Sequence, residues 1–373
     1  MRPMGSAGQH GTGRGGAQDP RGQRRGAARD PGGRSIAVLG LGQMGLVCAA
    51  VLGGRDLPGV DRVVLWGRNE DEAGALAQTR RSPRLPGLEL PASVHVAIGG
   101  AEAVRDASLV VSAIPVQHIR SVWASVAPHL PERAGVVSVA KGIEVGTLLR
   151  PTQVIAEVIG DDPDARPRPI GALSGPTIAP ELARCLPATM IAASEDAEFA
   201  AALQALFATN WLRIYTNPDV VGVEVAGATK NVIAIAAGIV DGLHAGYNAK
   251  SALLARGLAE IARLGVAMGA SPETFWGIAG VGDLATSCFS PEGRNRSCGE
   301  ALGRGEKLDE YLSRARFVVE GVATTRSVVA LAERYRVDMP ITQAVHAVLF
   351  EGLDPIQAIA RLMSREPKAE RTA

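Results

Sequence analysis

Residues 35–45 read SIAVLGLGQMG. A short apolar run ends in glycine, and glycines stand at 40, 42 and 45 with the GxGxxG spacing. The next residues, VCAAVLGG (47–54), have helical composition, and a second apolar run, RVVLWG (62–67), follows them. Strand, glycine turn, helix and strand within about 30 residues form the unit that binds dinucleotides. The spacing alone is weak evidence; its position between a predicted strand and a predicted helix carries the reading. Gly40 permits a tight turn, Gly42 lets the backbone approach a pyrophosphate, and Gly45 allows close helix–strand packing. The helix N-terminus then turns its N–H groups and the positive end of its dipole toward the phosphates.

Short apolar runs continue outward from this unit. VHVAIG (94–99), SLVVSAIP (108–115), GVVSVA (135–140), PIGALS (169–174), ATMIAAS (188–194) and WLRIYT (211–216) read as strands, with helix-like segments between most of them. That alternation predicts a largely parallel, doubly wound sheet. After about residue 216 the pattern changes to long Ala/Leu/Val-rich segments. The stretch 248–269 spaces its apolar residues by three and four, the helical signature. SPETFWG (271–277) reads as a helix start capped by Ser271, and 319–335, 340–350 and 354–363 read as helices. The expected fold is therefore α/β, an N-terminal Rossmann-like doubly wound sheet followed by an all-α C-terminal domain. The expected divisions are a Gly/Arg-rich tail over 1–34, the nucleotide domain over 35–216, the helical domain over 217–366, and a frayed end over 367–373.

The chain has 373 residues, 46% apolar and 21% charged, which suits two domains with real cores. Aromatics make up 4% and the net charge is +1, which argues against a single-strand nucleic-acid platform or a general pull toward DNA. The four cysteines form no CxxC pair and no zinc-type cluster, so free thiols and no metal site are expected. Residues 1–34 carry no apolar core of a secretory signal, and the expected location is cytoplasmic. At the end of the second strand, where NAD enzymes place a carboxylate, the chain has Arg68 with Asn69 beside it. An arginine there accommodates a 2′-phosphate, so NADP(H) is preferred and NAD(H) remains possible.

Residues 222–239, GVEVAGATKNVIAIAAGI, look built for burial, yet hold Glu224, Lys230 and Asn231. These interrupt the run as a membrane span, and a buried helix fits it better. A buried ammonium needs partners. Other polar groups stand in structured places: Lys141 just past a strand, Gly175-Pro176-Thr177 at a strand-to-helix turn, Asp283 among glycines, and Arg294 with Asn295. Ligands of doubly wound sheets bind beyond the carboxyl ends of the strands, where Lys141 and the 175–177 turn are predicted to lie.

The blocks 215–243, 248–265, 280–296, 319–326 and 339–355 closely resemble the bacterial-type NAD(P)-dependent sn-glycerol-3-phosphate dehydrogenases. The resemblance covers roughly residues 35–368. It implies hydride transfer between NAD(P)H and dihydroxyacetone phosphate to give sn-glycerol 3-phosphate for phospholipid synthesis, with no nucleic-acid partner and no membrane span. A homodimer is expected. The resemblance makes Lys230 the proton donor and acceptor, places Lys141 near the substrate oxygens and the cofactor, and makes Asp283 a carboxylate that orients a lysine. Arg294 and Asn295 match the phosphate-binding pair, with Gly293 before them; Arg294 also matches a cofactor contact. Gly175 and Thr177 match substrate-side positions. Ala179, Val318 and Glu320 match cofactor-side positions, together with Gly40, Gly42, Gln43, Met44, Gly45 and Arg68.

The chain departs from the family's common residues at several points. Gln43-Met44 replaces Ser-Trp, Arg84 stands for Tyr before Leu-Pro-Gly, Ile178 replaces Phe, and Gly293 replaces Ser. Ser287 replaces Thr and keeps the hydroxyl. A paralogue acting on a different phosphorylated ketone is the alternative these departures motivate. A non-catalytic nucleotide-sensing protein is a third reading, disfavoured by the presence of Lys141, Lys230, Asp283, Arg294 and Asn295. Glu224 is expected to be structural, and His244 packed or supporting.

Overall fold

The computed structural model describes residues 35–161, 167–315, 317–367 and 369. The expected tail over 1–34, and most of the expected frayed end, lie outside these residues. Eight strands form one sheet: β1 Ser35–Leu39, β2 Arg62–Trp66, β3 Val94–Ala97, β4 Ala107–Ser112, β5 Gly135–Ser138, β6 Ile170–Ser174, β7 Ala188–Ala193 and β8 Leu212–Asn217. Each expected strand forms. The helices between them are α1 Gln43–Gly53, α2 Glu70–Thr79, α3 Gly100–Val104, α4 Val116–Val126, α5 Pro151–Ile159, α6 Ala179–Ala183 and α7 Ala197–Phe207. β1, β5 and most of β4 are buried along their length, as strands with both faces covered by helices must be.

The order across the sheet is β3-β2-β1-β4-β5-β6-β7-β8. All neighbours are parallel except β6 and β7. The reversal has a direct consequence for the site. β8 runs with β7, so the chain leaves it at Asn217, paired with Ala193, which faces Ala172 inside β6. The following helix, α8 Val220–Gly242, therefore starts low on the sheet and climbs. Gly227 passes the carboxyl end of β6, where a Cβ would lie 3.1 Å from Ser174 Oγ. Lys230 comes one turn later, beyond the strand ends.

After α8 the described chain continues as α9 Gly246–Ala267, α10 Glu273–Trp276, a π-helical turn Ile278–Gly282, α11 Asp283–Phe289, α12 Arg294–Gly303, α13 Leu308–Arg314, α14 Glu320–Tyr335, α15 Pro340–Phe350 and α16 Pro355–Met363. α8 is long and apolar enough to cross a membrane by length and composition, but it is buried inside this fold on every side. A helix apolar all round is a core helix here. α12 packs on it backbone to backbone: a Cβ on Gly238 would lie 1.9 Å from Arg296 O, and one on Gly299 1.9 Å from Ile235 O. Only glycine permits either approach.

Glu224 is structural. Its carboxylate accepts from Thr152 N at 2.9 Å and Thr152 Oγ1 at 2.6 Å, and it pairs with Arg150, tying α8 to the start of α5. Two local expectations need correction. Ser271 does not cap α10; its hydroxyl donates to Glu273, and Asp219 from the start of α8 accepts from Ser271 N and Thr274 Oγ1. His244 is exposed rather than packed, in a left-handed conformation with φ 54° after α8.

Candidate active site

The glycine turn takes the shape that its spacing predicts. Gly40 has φ 120°, and a Cβ on it would lie 2.4 Å from Ala113 O. A Cβ on Gly45 would lie 1.9 Å from Gly40 O. Gly42 differs: no atom of the described residues lies within 4 Å of where its Cβ would stand. The open side of Gly42 faces a cleft of about 430 Å³, and no side chain caps the α1 N-terminus there. A backbone cradle with free N–H groups fits a dinucleotide pyrophosphate. Gln43, Met44, Arg68, Ala179, Val318 and Glu320 line the same cleft. Glu320 Oε2 has no hydrogen-bond partner among the described residues, and burial pushes this carboxyl up to about 7 against the pull of Arg294.

Deeper in the cleft two amines meet one acid. Lys141, in the loop after β5, donates from Nζ to Asp283 Oδ2 at 2.5 Å, Gly175 O at 2.8 Å and Thr177 Oγ1 at 3.3 Å. Lys230 donates to Asp283 Oδ1 at 2.7 Å and to Ser287 Oγ at 2.5 Å. Asp283 and Ser287 share a face of α11 at i, i+4 spacing. The π-helical turn aims that helix, and its Gly280 is obligatory, since a Cβ would sit 2.0 Å from Phe275 O. Gly175 can offer its carbonyl because φ there is 128°. Burial pushes the Lys141 ammonium down from 10.5 to about 8; the Asp283 carboxylate resists the shift and the Lys230 charge adds to it. Two ammonium groups on one carboxylate leave a surplus positive charge in a nearly dry pocket, suited to an oxygen that gains negative charge.

Asparagines join this pocket to α12 and α14. Asn231 Nδ2 donates to Lys141 O at 3.3 Å, Asn295 Nδ2 donates to Asn231 Oδ1 at 2.9 Å, and Gly321 N donates to Asn295 Oδ1 at 2.9 Å. Asn295 thus has its carbonyl oxygen engaged and one amide proton free for a ligand. Arg294 stands exposed at the start of α12, its Nη1 3.4 Å from Val318 O. Gly293 precedes it without a side-chain cap, so the first N–H groups of α12 are open.

The sequence-predicted residues therefore line one cleft or touch its wall, with Asp283 behind the two lysines. Residues not singled out for the site are Asn231, Ser287, Glu72 and Arg84. Asn231 carried a signal, a second polar residue inside an apolar helix. Arg84 carried a weaker one, a departure from the common residue. Gln43 Nε2 donates to Arg84 O at 2.9 Å, and Arg84 Nη2 donates to Glu72 Oε2 at 3.0 Å.

Two family models match the chain: the NAD-dependent glycerol-3-phosphate dehydrogenase N-terminus over residues 35–200 and the C-terminus over 219–360. A glycerol-3-phosphate dehydrogenase (NAD(P)+) of Mycobacterium tuberculosis is 46% identical over 337 residues, 90% of this chain and 98% of that one. One of Pelotomaculum thermopropionicum is 45% identical over 331 residues, 88% of this chain and 93% of that one. The crystal structure of a glycerol-3-phosphate dehydrogenase from Coxiella burnetii superimposes with a TM-score of 0.83 at 33% identity, covering 90% of this chain and all of that one. With both halves matched and the glycine cradle and the paired lysines in one cleft, the chain belongs to the NAD-dependent glycerol-3-phosphate dehydrogenase family.

Proposed function

We infer that the chain reduces dihydroxyacetone phosphate to sn-glycerol 3-phosphate reversibly with NADPH or NADH, and so supplies glycerophospholipid synthesis. The observation that carries this reading is the Lys141–Asp283–Lys230 arrangement at the carboxyl ends of the strands, beside the glycine cradle. The nicotinamide cofactor, bound along Gly40–Gly45, supplies the hydride. Lys230 gives a proton to the ketone oxygen as that oxygen gains charge, and takes it back in the reverse direction. Lys141 stabilises the same oxygen by its charge. Asp283 holds both amines in place and offsets one of their two charges, which leaves the surplus for the substrate oxygen.

Arg294 and the open N-terminus of α12 hold the phosphate, the guanidinium by paired charge-assisted hydrogen bonds and the helix by its N–H groups. Asn295 adds its remaining amide proton, and Gly293 allows the phosphate close to the backbone. Gly175 and Thr177 border the substrate through Lys141. Ala179, Val318, Glu320 and Arg68 border the cofactor. The sheet-bearing part, 35–216, thus supplies the glycine cradle and Lys141, and the helical part, 217–366, supplies Lys230, Asp283 and the phosphate-binding residues, with each part bordering both ligands. A cytoplasmic homodimer belongs to the same proposal.

Oxidation of NADPH and NADH by dihydroxyacetone phosphate, followed side by side at 340 nm, tests it. Turnover with at least one cofactor is expected, with NADPH favoured. Binding of cofactor without turnover would leave a nucleotide-binding protein. A second reading rests on Gly293, which brings no hydroxyl to the start of α12: high KM and slow turnover with dihydroxyacetone phosphate would point to a different phosphorylated ketone.

A further inference from the structure

We propose that Arg84 sets the cofactor preference by neutralising Glu72 at the end of the cleft where the adenosine ribose would lie. The proposal rests on the dinucleotide reading of that cleft. Arg68 just after β2, Glu72 in the first turn of α2 and Arg84 in the loop after α2 all line it. Asn69 caps α2 by accepting from Glu72 N at 2.9 Å, which fixes the direction in which Glu72 leaves the helix. A carboxylate at this end of a dinucleotide site binds a ribose 2′-hydroxyl and repels a 2′-phosphate. Left alone, Glu72 would therefore select NADH.

It is not left alone. Arg84 reaches both oxygens of Glu72, Nε to one and Nη2 to the other, the paired geometry that a guanidinium forms best. The Arg84 backbone is itself held by the Gln43 side chain from the first residue of α1, so the guanidinium is anchored to the glycine turn. Arg68 makes no ion pair among the described residues. Among the charged residues lining this end of the cleft, Glu72 and Arg84 cancel and Arg68 remains for a 2′-phosphate; Glu70 and Asp71 of the same helical turn do not line it. Arg84 thus acts through Glu72 and is a positioning residue. Its side chain is 49% exposed and that of Glu72 21%, so water and salt weaken the effect.

Equilibrium binding of NADPH and NADH to the full chain, read by nucleotide fluorescence, tests the proposal without catalysis. Arg84→Ala frees the Glu72 charge and is expected to raise the NADPH Kd about tenfold, while the NADH Kd stays within about twofold. Adding Glu72→Gln removes that charge and should return the NADPH Kd to within about threefold of the parent. Glu72→Gln alone leaves a free second cation and should tighten NADPH relative to NADH; this variant keeps the test alive if Arg84→Ala does not fold. The proposal is overturned if Arg84→Ala weakens both nucleotides equally, if the double variant binds NADPH as poorly as Arg84→Ala, or if Glu72→Gln leaves the NADPH/NADH ratio unchanged. Failure of the parent chain to bind either nucleotide would sink the dinucleotide reading itself, a result distinct from all of these.

Discussion

Lys141 and Lys230 donate to opposite oxygens of one buried carboxylate, that of Asp283, at 2.5 and 2.7 Å. One lysine comes from the sheet-bearing part and the other from α8. The acid therefore sets the spacing of the two amines, and neither can be removed without changing the surroundings of the other.

Lys230→Met keeps the length and apolar fit of the side chain and loses the amine. Turnover should fall by about a hundredfold or more, the scale for losing general acid–base help. Nucleotide binding should persist. The fold should lose about 1–3 kcal/mol, because Asp283 keeps Lys141 as a partner and is not left as a lone buried charge. Steady-state kinetics with a melting curve checks this. Retention of most of kcat would assign the proton to Lys141 or to water.

Lys141 gives the stability a sign with pH. Its folded value, about 8, lies below the 10.5 of the free amine. Between these values the unfolded chain binds the proton more strongly than the folded one, so stability rises with pH across that window. Below about pH 8 the burial penalty of the ammonium is present in full. Denaturant titrations between pH 7 and 10.5 should show the rise, and Lys141→Met should lack it. The kcat/KM for the ketone should fall above about pH 8 as the charge is lost; if the same limb persists in Lys141→Arg, another group causes it.

Arg294→Ala should raise the KM for dihydroxyacetone phosphate by about 10- to 100-fold, the scale of a lost hydrogen bond to a charged group. Unphosphorylated dihydroxyacetone should suffer much less, since it brings no partner. Equal losses on the two substrates would place Arg294 on the cofactor alone.

Gly42→Ala separates folding from binding. The new methyl meets no protein atom within 4 Å, so the melting temperature of the free chain should hardly change. The methyl would occupy the space where the pyrophosphate approaches, and NADPH affinity should fall at least tenfold, roughly the cost of one misplaced close contact. Gly45→Ala is the contrast: its methyl would meet Gly40 O at 1.9 Å, and folding itself should suffer. Unchanged NADPH affinity in Gly42→Ala would move the pyrophosphate away from this turn.

Much of this was legible in the sequence because local pattern decides it. Strand candidates and the glycine turn depend on a few neighbouring residues, and the strands formed where apolar runs met turn residues. The burial of Lys230 was legible from its apolar helix. That Asp283, 53 residues away, orients a lysine came only through the resemblance, and that Lys141 shares the same carboxylate was not legible from local pattern at all. The reversal of β7 was equally hidden, because an apolar strand reads the same in either direction. The Gln43–Arg84–Glu72 chain links three positions, none of which has a local reason to meet the others. Ser271 shows the opposite failure: a cap-like Ser-Pro pair was overridden by Asp219 from another helix.

The glycine contact between α8 and α12 has a consequence for what the enzyme can accept. α8 carries Lys230 and α12 carries Arg294, and at Gly238 and Gly299 the two backbones meet with no side chain between them. No rotamer change can shorten or lengthen that separation. If Lys230 and Arg294 have the roles proposed above, the pair of helices works as a fixed gauge between the reacting carbonyl and the phosphate, and a ketone phosphate with one more carbon between those groups should bind out of reach of the proton, however well its phosphate is held.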